Sequence, residues 1–523
     1  MFKVTCAALL AALSSASSAW ASCDDPFADP NEVLTFHLEL TRADWNTVRT
    51  APMVGEGCEA QYPMVHARFR CGETGEFLEI GVRRKRGDQY GQDTDEKPPI
   101  KLDINEFVDG QRWPKAQKDL GYRKLSLNTG QQSKKGGVLP ALLSEHVAWR
   151  VMRAAVPTVA AGVAYARVFV QLTDEGVSEY HGVYILIEDL DKTAVRRRLG
   201  TTCGRLMKTT QVECPDEVDY DDGLPNESAP RFQGWLSGAD TSIRADQAVA
   251  LESLLTQEAV RDILGGGYDT PLGPHWNNFY QFEPRVGRVT IFPWDLDVPF
   301  RPFPEVVAPE NQLEPRCSTL GQKTRCDSKT HVQYRQIACD LTLGPLAAKR
   351  LLEAWDAADN AVRPFVGDET ELVWKGVSPL DESVKGSYAA EHKRIRAWIP
   401  ARIDSVRKQL ACPSACGEGA TRSCGESLCA TQRCTGGLWS VCAGTDPVTE
   451  VCDNGLDDDC DGSIDEGCKL TKEVCPKGEP NPVLVRPAPR CGCDGAPGLS
   501  ILGALLTLVM RRGRRTVASL LRR

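Results

Sequence analysis

The sequence has no excess of positive charge and few histidines. It carries 62 Lys and Arg residues against 71 Asp and Glu residues, which gives a formal net charge of −9. A nucleic-acid-binding protein needs a concentrated basic surface, so this balance argues against a nucleic-acid partner. The 7 histidines offer no set of ligands that would activate a water molecule, and His275 alone is too little for a metal-dependent hydrolase.

Cysteine is sparse over most of the chain and concentrated near its end. Of 21 cysteines, Cys6 lies in the N-terminal segment, eight lie between residues 23 and 339, and twelve lie between residues 412 and 493. Without Cys6 the number is even, as an oxidising compartment favours. From residue 411 hydrophobic periodicity stops, so residues 411–476 must depend on disulfides or metal instead of a core. Residues 477–490 contain four prolines and are typical of an extended linker.

The N-terminal segment has the features of a signal peptide. Lys3 is followed by an apolar run, Ala7 to Leu13, and Ala19-Trp20-Ala21 fits the small-x-small cleavage rule. We therefore predict a signal peptide over residues 1–21 with cleavage after Ala21, against the alternative of a buried N-terminal helix. In a second alternative, residues 20–23 loosely resemble a lipoprotein box, in which Cys23 would be lipidated.

The C-terminal segment, residues 491–523, has the features of a second targeting signal. A cysteine pair precedes an uncharged stretch, residues 495–510, and an arginine cluster follows it. The stretch is short for a membrane span of about 20 residues, and the arginines favour the cytoplasmic side. This order resembles the Myxo-type C-terminal sorting tag of bacterial surface proteins, and an ordinary tail anchor is the alternative. Either one predicts an exported cell-envelope or surface protein that is membrane-anchored, or processed at its C-terminus.

Residues 23–410 have the periodicity of one large mixed body. Strand-like alternation comes first and amphipathic helices follow, which predicts an α+β, two-lobed fold. The predicted strands span 33–40, 77–85, 99–104, 165–172, 181–187, 278–282 and 288–292, and the predicted helices span 142–155, 246–264, 341–357 and 387–410.

The Cys-rich module, residues 411–476, contains a strongly acidic loop between Cys452 and Cys468. Its carboxylates would repel one another unless a hard cation gathers them, and Ca²⁺ prefers six to eight oxygen ligands on a flexible loop. The pattern resembles a metal-binding repeat of secreted bacterial proteins, and a merely acidic, disulfide-bonded spacer is the alternative. The predicted calcium ligands are Asp453, Asp457, Asp459, Asp461, Asp465 and Glu466.

A second group of polar residues lies in the large body. Asp295 and Asp297 are two residues apart at a strand end, so both side chains point the same way. With the amide oxygen of Asn278 they would make a Mg²⁺ or Mn²⁺ site that leaves positions for phosphate oxygens. Asp269 lies on a glycine-flanked loop, where a general base or a substrate-orienting carboxylate would sit. The alternative is that these two aspartates belong to an ordinary surface loop, since Asp-x-Asp is common there.

From Val33 to about Leu410, the sequence resembles the spore coat protein H (CotH) kinase family of atypical secreted protein kinases. The matching motifs are Leu34–Leu38 with Asp44-Trp45, Val82–Gly87, Lys97–Leu102, Tyr122–Asn128, Tyr180–Asp191, Gly204–Lys208, and Asn278-Phe279-Tyr280 followed by Pro293–Asp297. The resemblance implies a two-lobed, atypical protein-kinase-like body, ahead of the small disulfide-rich module and a C-terminal transmembrane tag.

The resemblance also implies a role for individual residues. Asp269 would be catalytic and orient the acceptor hydroxyl. Asn278, Asp295 and Asp297 would hold Mg²⁺ or Mn²⁺. Lys124 or Lys208 would neutralise the phosphates of ATP, and Glu188 would pair with that lysine, as in kinases.

The implied function is that of an exported atypical Ser/Thr kinase. It would transfer the γ-phosphate of ATP to an envelope or surface protein. The chain departs from the family at residues 88–92, Asp-Gln-Tyr-Gly-Gln, where the family has Asn-Ser-Ser. Because the acidic Asp88 would repel phosphate, a catalytically inactive surface scaffold or matrix protein with the same fold is the alternative.

Overall fold

The structure is a computed structural model of the chain. It describes residues 23–55, 61–85, 97–129, 141–209, 216–220, 228–267, 269–275, 277–285, 287–296, 300, 317–376, 387–423, 430–440 and 443–444. All of these residues belong to one compact unit. The Asp297 carboxylate, the acidic loop, the linker and both terminal segments lie outside the described residues.

Seven strands in the first part of the chain form a closed barrel. The order around it is β1-β2-β3-β4-β5-β7-β6. The neighbouring strands are antiparallel except at the closure, where β1 and β6 run parallel with Val33 opposite Tyr165. The strands are β1 Val33–Leu40, β2 Val65–Cys71, β3 Leu78–Arg84, β4 Ile100–Asp103, β5 Lys124–Asn128, β6 Val163–Leu172 and β7 Val177–Glu188.

The barrel interior follows the period of two in its strands. In β2, Val65, Ala67 and Phe69 are buried, whereas His66 and Arg68 between them are exposed. Alternate side chains of a strand point to opposite faces, so one face of each strand fills the barrel.

A second antiparallel sheet and a set of helices follow the barrel. The sheet has the order β11-β10-β8-β9, and its strands are β8 Gly204–Thr209, β9 Asp216–Tyr220, β10 Phe279–Pro284 and β11 Thr290–Pro293. The helices are α1 Arg42–Thr50, α2 Ala141–Ala155, α3 Lys192–Leu199, α4 Ser228–Ser237, α5 Ala245–Ala248, α6 Leu251–Ile263, α7 Thr319–Gln322, α8 Ser328–Leu343, α9 Ala348–Gly376 and α10 Ser387–Gln409.

The main core lies between the outside of the barrel and these helices. Helix α2 packs against β6 and β7 on one side and against α6 and α9 on the other. Its Trp149 is fully buried and meets Trp294, with ring centres 6.1 Å apart. This packing holds the end of the β10–β11 hairpin against the barrel wall.

A small third sheet begins the Cys-rich module. Its strands are β12 Thr421–Ser423, β13 Ala430–Thr435, β14 Leu438–Trp439 and β15 Ala443–Gly444. Cys434 and Trp439 pack with Leu343 of α8. The described part of the module is therefore attached to the body.

Four disulfides join cysteines that the structure describes. They are Cys23–Cys71, Cys317–Cys326, Cys339–Cys412 and Cys416–Cys434. Disulfides persist in oxidising compartments, so the prediction of an oxidising environment is confirmed. The Cys23–Cys71 bond also decides against lipidation of Cys23, because a sulfur in a disulfide cannot carry a lipid thioether.

The expectation of a two-lobed, kinase-like α+β body with a C-terminal transmembrane tag is wrong. The first seven strands form a closed barrel, and the parallel pairing of β1 with β6 joins its two edges. Alternation of polar and apolar residues identifies strands, but it does not say which edges pair. Among the described residues, no helix is long and apolar enough to cross a membrane. The segment predicted as the tag lies outside them.

Candidate functional site

The β10–β11 hairpin places two of the predicted ligand residues at its open end. Phe279 pairs with Pro293, and one step further the Trp294 N–H donates to the Asn278 carbonyl over 3.0 Å. Asn278 and Asp295 both have positive φ angles, 61° and 55°. For residues other than glycine, such conformations cost about 1–3 kcal/mol and cluster at functional sites. The surrounding contacts must therefore hold these two residues in place.

A buried arginine on α6 supplies such contacts. The Arg261 guanidinium donates to the carbonyls of Asn278 at 3.0 Å and Trp294 at 2.6 Å, and at 3.4 Å to those of Asp269 and Asp295. It thereby brings together Asp269, Asn278 and Asp295, which are predicted site residues. Sequence reasoning missed Arg261, because an arginine in an amphipathic helix resembles a solvated surface group.

Two lysines lie against the aromatic end of the hairpin. Lys208, on β8 opposite Tyr280, has its Nζ 5.7 Å from the ring centres of both Tyr280 and Trp294. Lys85 follows β3, and its Nζ lies 5.5 Å from the Trp294 ring centre. Of the two lysines that the sequence left open, Lys208 therefore lies beside Asp295.

Lys101, on β4, brings a third ammonium to the same region. Its Nζ lies 2.6 Å from Oδ2 of Asp189, a carboxylate that is buried just after β7. Burial alone would raise the pKa of Asp189, but the charges of Lys101, Lys208 and Lys85 hold it below its ordinary value. These three lysines are the lysine cluster.

Burial, together with repulsion inside the cluster, lowers the pKa of Lys208 to about 8. Burial is the largest cause, and repulsion from Lys85 and Lys101 adds to it. The carboxylates of Asp189 and Asp295 oppose the shift. An ammonium with neighbours of like charge is stabilised by an incoming anion, which relieves the repulsion.

A buried carboxyl group lies behind the cluster. Lys85 Nζ donates to Asn128 Oδ1 over 2.6 Å, and Asn128 Nδ2 donates to Glu145 Oε1, also over 2.6 Å. Burial raises the pKa of Glu145 to about 7, with a smaller contribution from the charge of Asp295. The charge of Lys85 works in the opposite direction. Glu145 therefore titrates near neutral pH, and its charge is linked to the position of Lys85.

The structure pairs Glu188 with two arginines instead of the predicted partner, Lys124 or Lys208. Its carboxylate lies between Arg197 and Arg198 of α3, 2.5 Å from Arg197 Nη2, and it accepts the Gly162 N–H over 2.9 Å. Burial would raise its pKa, but the two arginine charges hold that pKa well below its ordinary value. The acid beside the lysine cluster is the next residue, Asp189.

Lys124 has a different neighbour from Lys208. Its Nζ lies 3.8 Å from Oδ2 of Asp103, its partner across the β4–β5 pair. We therefore consider Lys208, and not Lys124, a candidate for phosphate binding.

The Asp269 side chain is accessible from outside. It is 31% exposed, and its Oδ1 lies 3.0 Å from Nδ1 of His275. Its backbone is held by the Thr270 N–H, which donates to the His275 carbonyl over 3.1 Å, and by Arg261. A partly exposed carboxylate on a fixed loop could orient an incoming hydroxyl group.

The predicted metal ligands are only partly within the described residues. Asn278 and Asp295 lie together at the hairpin end, whereas Asp297 is outside. In the described part of the chain, no three His, Cys, Asp or Glu side chains are grouped to hold a metal ion. An amide and a carboxylate oxygen leave a divalent cation most of its coordination for water and phosphate, which suits Mg²⁺. The six predicted calcium ligands also lie outside the described residues.

Comparison with known proteins gives no further constraint on the site. No protein-family model matches the chain, and no curated protein matches it either.

Proposed function

We propose that this protein is an exported phosphotransferase that moves the γ-phosphate of ATP to Ser or Thr hydroxyl groups of an envelope or surface protein. The observation that carries the proposal is the lysine cluster, Lys85, Lys101 and Lys208, beside Asp295. Three ammonium groups around a half-buried site favour an anionic ligand with several charges, such as a triphosphate.

Each group has a part in the proposal. Lys85 and Lys208 bind phosphate oxygens, and Trp294 holds both ammonium groups in place through cation–π contacts. Asn278 and Asp295 hold Mg²⁺ or Mn²⁺, which would neutralise charge on the phosphates. Asp269 orients the acceptor hydroxyl, since its carboxylate is partly exposed and its backbone is fixed. This division of roles is that of phosphoryl transfer, where positioning and electrostatics do most of the work.

The same proposal includes the resemblance to the CotH kinase family and the predictions for the remaining segments. We place the protein at the cell envelope or surface, held at the membrane or processed through residues 491–523. The acidic loop at residues 452–468 would bind Ca²⁺. The disulfides support export alone.

Transfer of labelled phosphate tests this function. The full chain, produced under oxidising conditions, is incubated with γ-labelled ATP, Mn²⁺ and a generic protein acceptor. We expect Asp295→Ala to abolish labelling of the acceptor. Asp404→Ala, which removes an exposed carboxylate on α10, is the matched control and should leave labelling unchanged. Equal background labelling by wild type and Asp295→Ala would instead indicate a non-catalytic scaffold.

A further inference from the structure

Three separate segments of chain meet around one side chain. Asp269 follows the end of α6, Asn278 precedes β10, and Asp295 follows β11. The carbonyl groups of all three point at the guanidinium of Arg261, together with the carbonyl of Trp294. Arg261 itself is 4% exposed. The backbone geometry of the candidate site therefore depends on a residue whose side chain lies beneath it.

The base from which Arg261 projects is rigid. Its neighbour Asp262 accepts hydrogen bonds from Arg325 at 2.7 Å and from the hydroxyl of Tyr334 at 2.6 Å. Gly267 packs so closely against Asp262 that an added Cβ would lie 1.8 Å from the carboxylate Oδ1. Buried contacts thus join the end of α6 to the loop after it, and Arg261 lies within hydrogen-bonding distance of the Asp269 carbonyl.

The chemistry of the guanidinium group fits this task better than that of an ammonium group. Its planar set of five donors can serve carbonyls of different segments at the same time, whereas a lysine offers one compact charge. The hydrogen bonds also oppose the unfavourable positive φ angles of Asn278 and Asp295, because relaxation of either residue would move its carbonyl away from Arg261.

We propose that Arg261 is a positioning residue, which sets the relative geometry of the Asp269, Asn278 and Asp295 backbones and so shapes the cation site and the acceptor site together. This role rests on the proposed phosphotransferase function. Helix α6 thereby contributes to the site through Arg261, which acts on the backbone of the site residues and does not contact the substrate. Displacements of about 1 Å in such a site cost about 100-fold in rate.

The test compares two buried arginines that contact the C-terminal end of α6, Arg261 within that helix and Arg402 on α10. Arg402 donates to the carbonyls of Asp262 at 2.9 Å and Ile263 at 3.2 Å, so Arg402→Lys removes similar hydrogen bonds at α6 itself. For the full chain we would measure Mn²⁺ binding by electron paramagnetic resonance, together with kcat, the KM of the acceptor and the thermal midpoint. Arg261→Lys is the main variant, and Arg261→Gln, which retains amide donors, replaces it if the lysine variant does not fold.

We expect Arg261→Lys to lower kcat by about 100-fold and to raise the Mn²⁺ concentration needed for half-saturation, with the KM of the acceptor unchanged. Arg402→Lys should lower the thermal midpoint by about as much as Arg261→Lys does, but it should leave Mn²⁺ binding and kcat as in wild type. Wild-type Mn²⁺ binding and kcat in Arg261→Lys would overturn the role of Arg261 alone. A wild-type chain that neither binds Mn²⁺ nor transfers phosphate would overturn the proposed function, and this role with it.

Discussion

The ammonium group of Lys208 lies 5.7 Å from the centre of the Trp294 ring, on the wall of the site that also carries Asp295. This contact fixes the charged end of the lysine beside the hairpin. The position has an electrostatic cost, because burial and the nearby charges of Lys85 and Lys101 lower the pKa of Lys208 to about 8. The charge of the site therefore changes just above neutral pH.

The first prediction concerns ATP binding as a function of pH. Above about pH 8 the lysine loses its proton, so its interaction with phosphate is lost as the pH rises. We expect the Kd of ATP with Mg²⁺ to increase about tenfold between about pH 7 and pH 9, since a hydrogen bond to a charged group contributes about 1.5 kcal/mol. Titration calorimetry measures it. Lys208→Arg stays charged and should remove most of the pH dependence, and an equal pH dependence in both proteins would contradict this account.

The second prediction separates two adjacent acids. Glu188→Gln leaves Arg197 and Arg198 without their buried carboxylate and should lower the free energy of unfolding by about 3–5 kcal/mol. Its ATP affinity should stay at the wild-type value. Asp189→Asn should instead move the pH dependence of ATP binding to lower pH, because the charge of Asp189 raises the pKa of Lys208.

Denaturant unfolding and calorimetry on both variants provide the measurement. A loss of ATP affinity in Glu188→Gln, with no pH effect in Asp189→Asn, would restore the lysine–glutamate pair that the sequence predicts.

The third prediction concerns Glu145 and stability. The pKa of this buried carboxyl is raised to about 7, so between its ordinary range and pH 7 the unfolded state loses a proton that the native state keeps. The contribution of Glu145 to the free energy of unfolding therefore falls as the pH rises through this interval. The free energy of unfolding of Glu145→Gln should therefore rise by about 1–3 kcal/mol relative to that of wild type between about pH 5 and pH 7.5.

Unfolding by urea at several pH values measures the difference. Other buried acids, such as Glu258, change the free energy of unfolding with pH in the same way in both proteins, so their contributions cancel in the comparison. Glu353→Gln, on the exposed face of α9, should give a curve parallel to wild type. A parallel curve for Glu145→Gln as well would show that Glu145 is ionised throughout.

The fourth prediction concerns the acidic loop between Cys452 and Cys468. Repulsion among its carboxylates should open the loop when calcium is removed. We expect a chelator to increase the rate of proteolytic cleavage after residue 444 and to leave cleavage of the body unchanged, as resolved by mass spectrometry of the fragments. Equal cleavage of the module with calcium and with chelator would favour the acidic spacer.

The strands and helices that the sequence predicts are those with a clear local periodicity, and it does not predict others, such as β2, β8 and α3. The strand predicted over residues 33–40 matches β1, and the strands predicted over 278–282 and 288–292 match β10 and β11. The helix predicted over 341–357 is wrong, since α8 ends at Leu343 and α9 begins at Ala348, on either side of Gly344-Pro345. Proline lacks the N–H that a continuous helix needs.

The barrel and much of the site could not be predicted, because they depend on contacts between distant segments. Pairing of β1 with β6 joins residues more than a hundred positions apart. The alternation of polar and apolar residues in each strand does not indicate which strand it pairs with. The sequence predicts Asn278 and Asp295 through a local motif, and the structure brings them together. The motif Val82–Gly87 contains Lys85 but predicts no role for it, and Arg261 lies in no motif, so only the fold places these two residues at the site.

The fate of the γ-phosphate tests the central claim most directly. The full wild-type chain is incubated with γ-labelled ATP, Mn²⁺ and an acceptor protein, and the label is then separated into protein, inorganic phosphate and remaining ATP. Our account predicts label on Ser or Thr of the acceptor, and none of it when Asp295 is replaced by Ala. Label recovered only as inorganic phosphate, or remaining wholly in ATP, would contradict it.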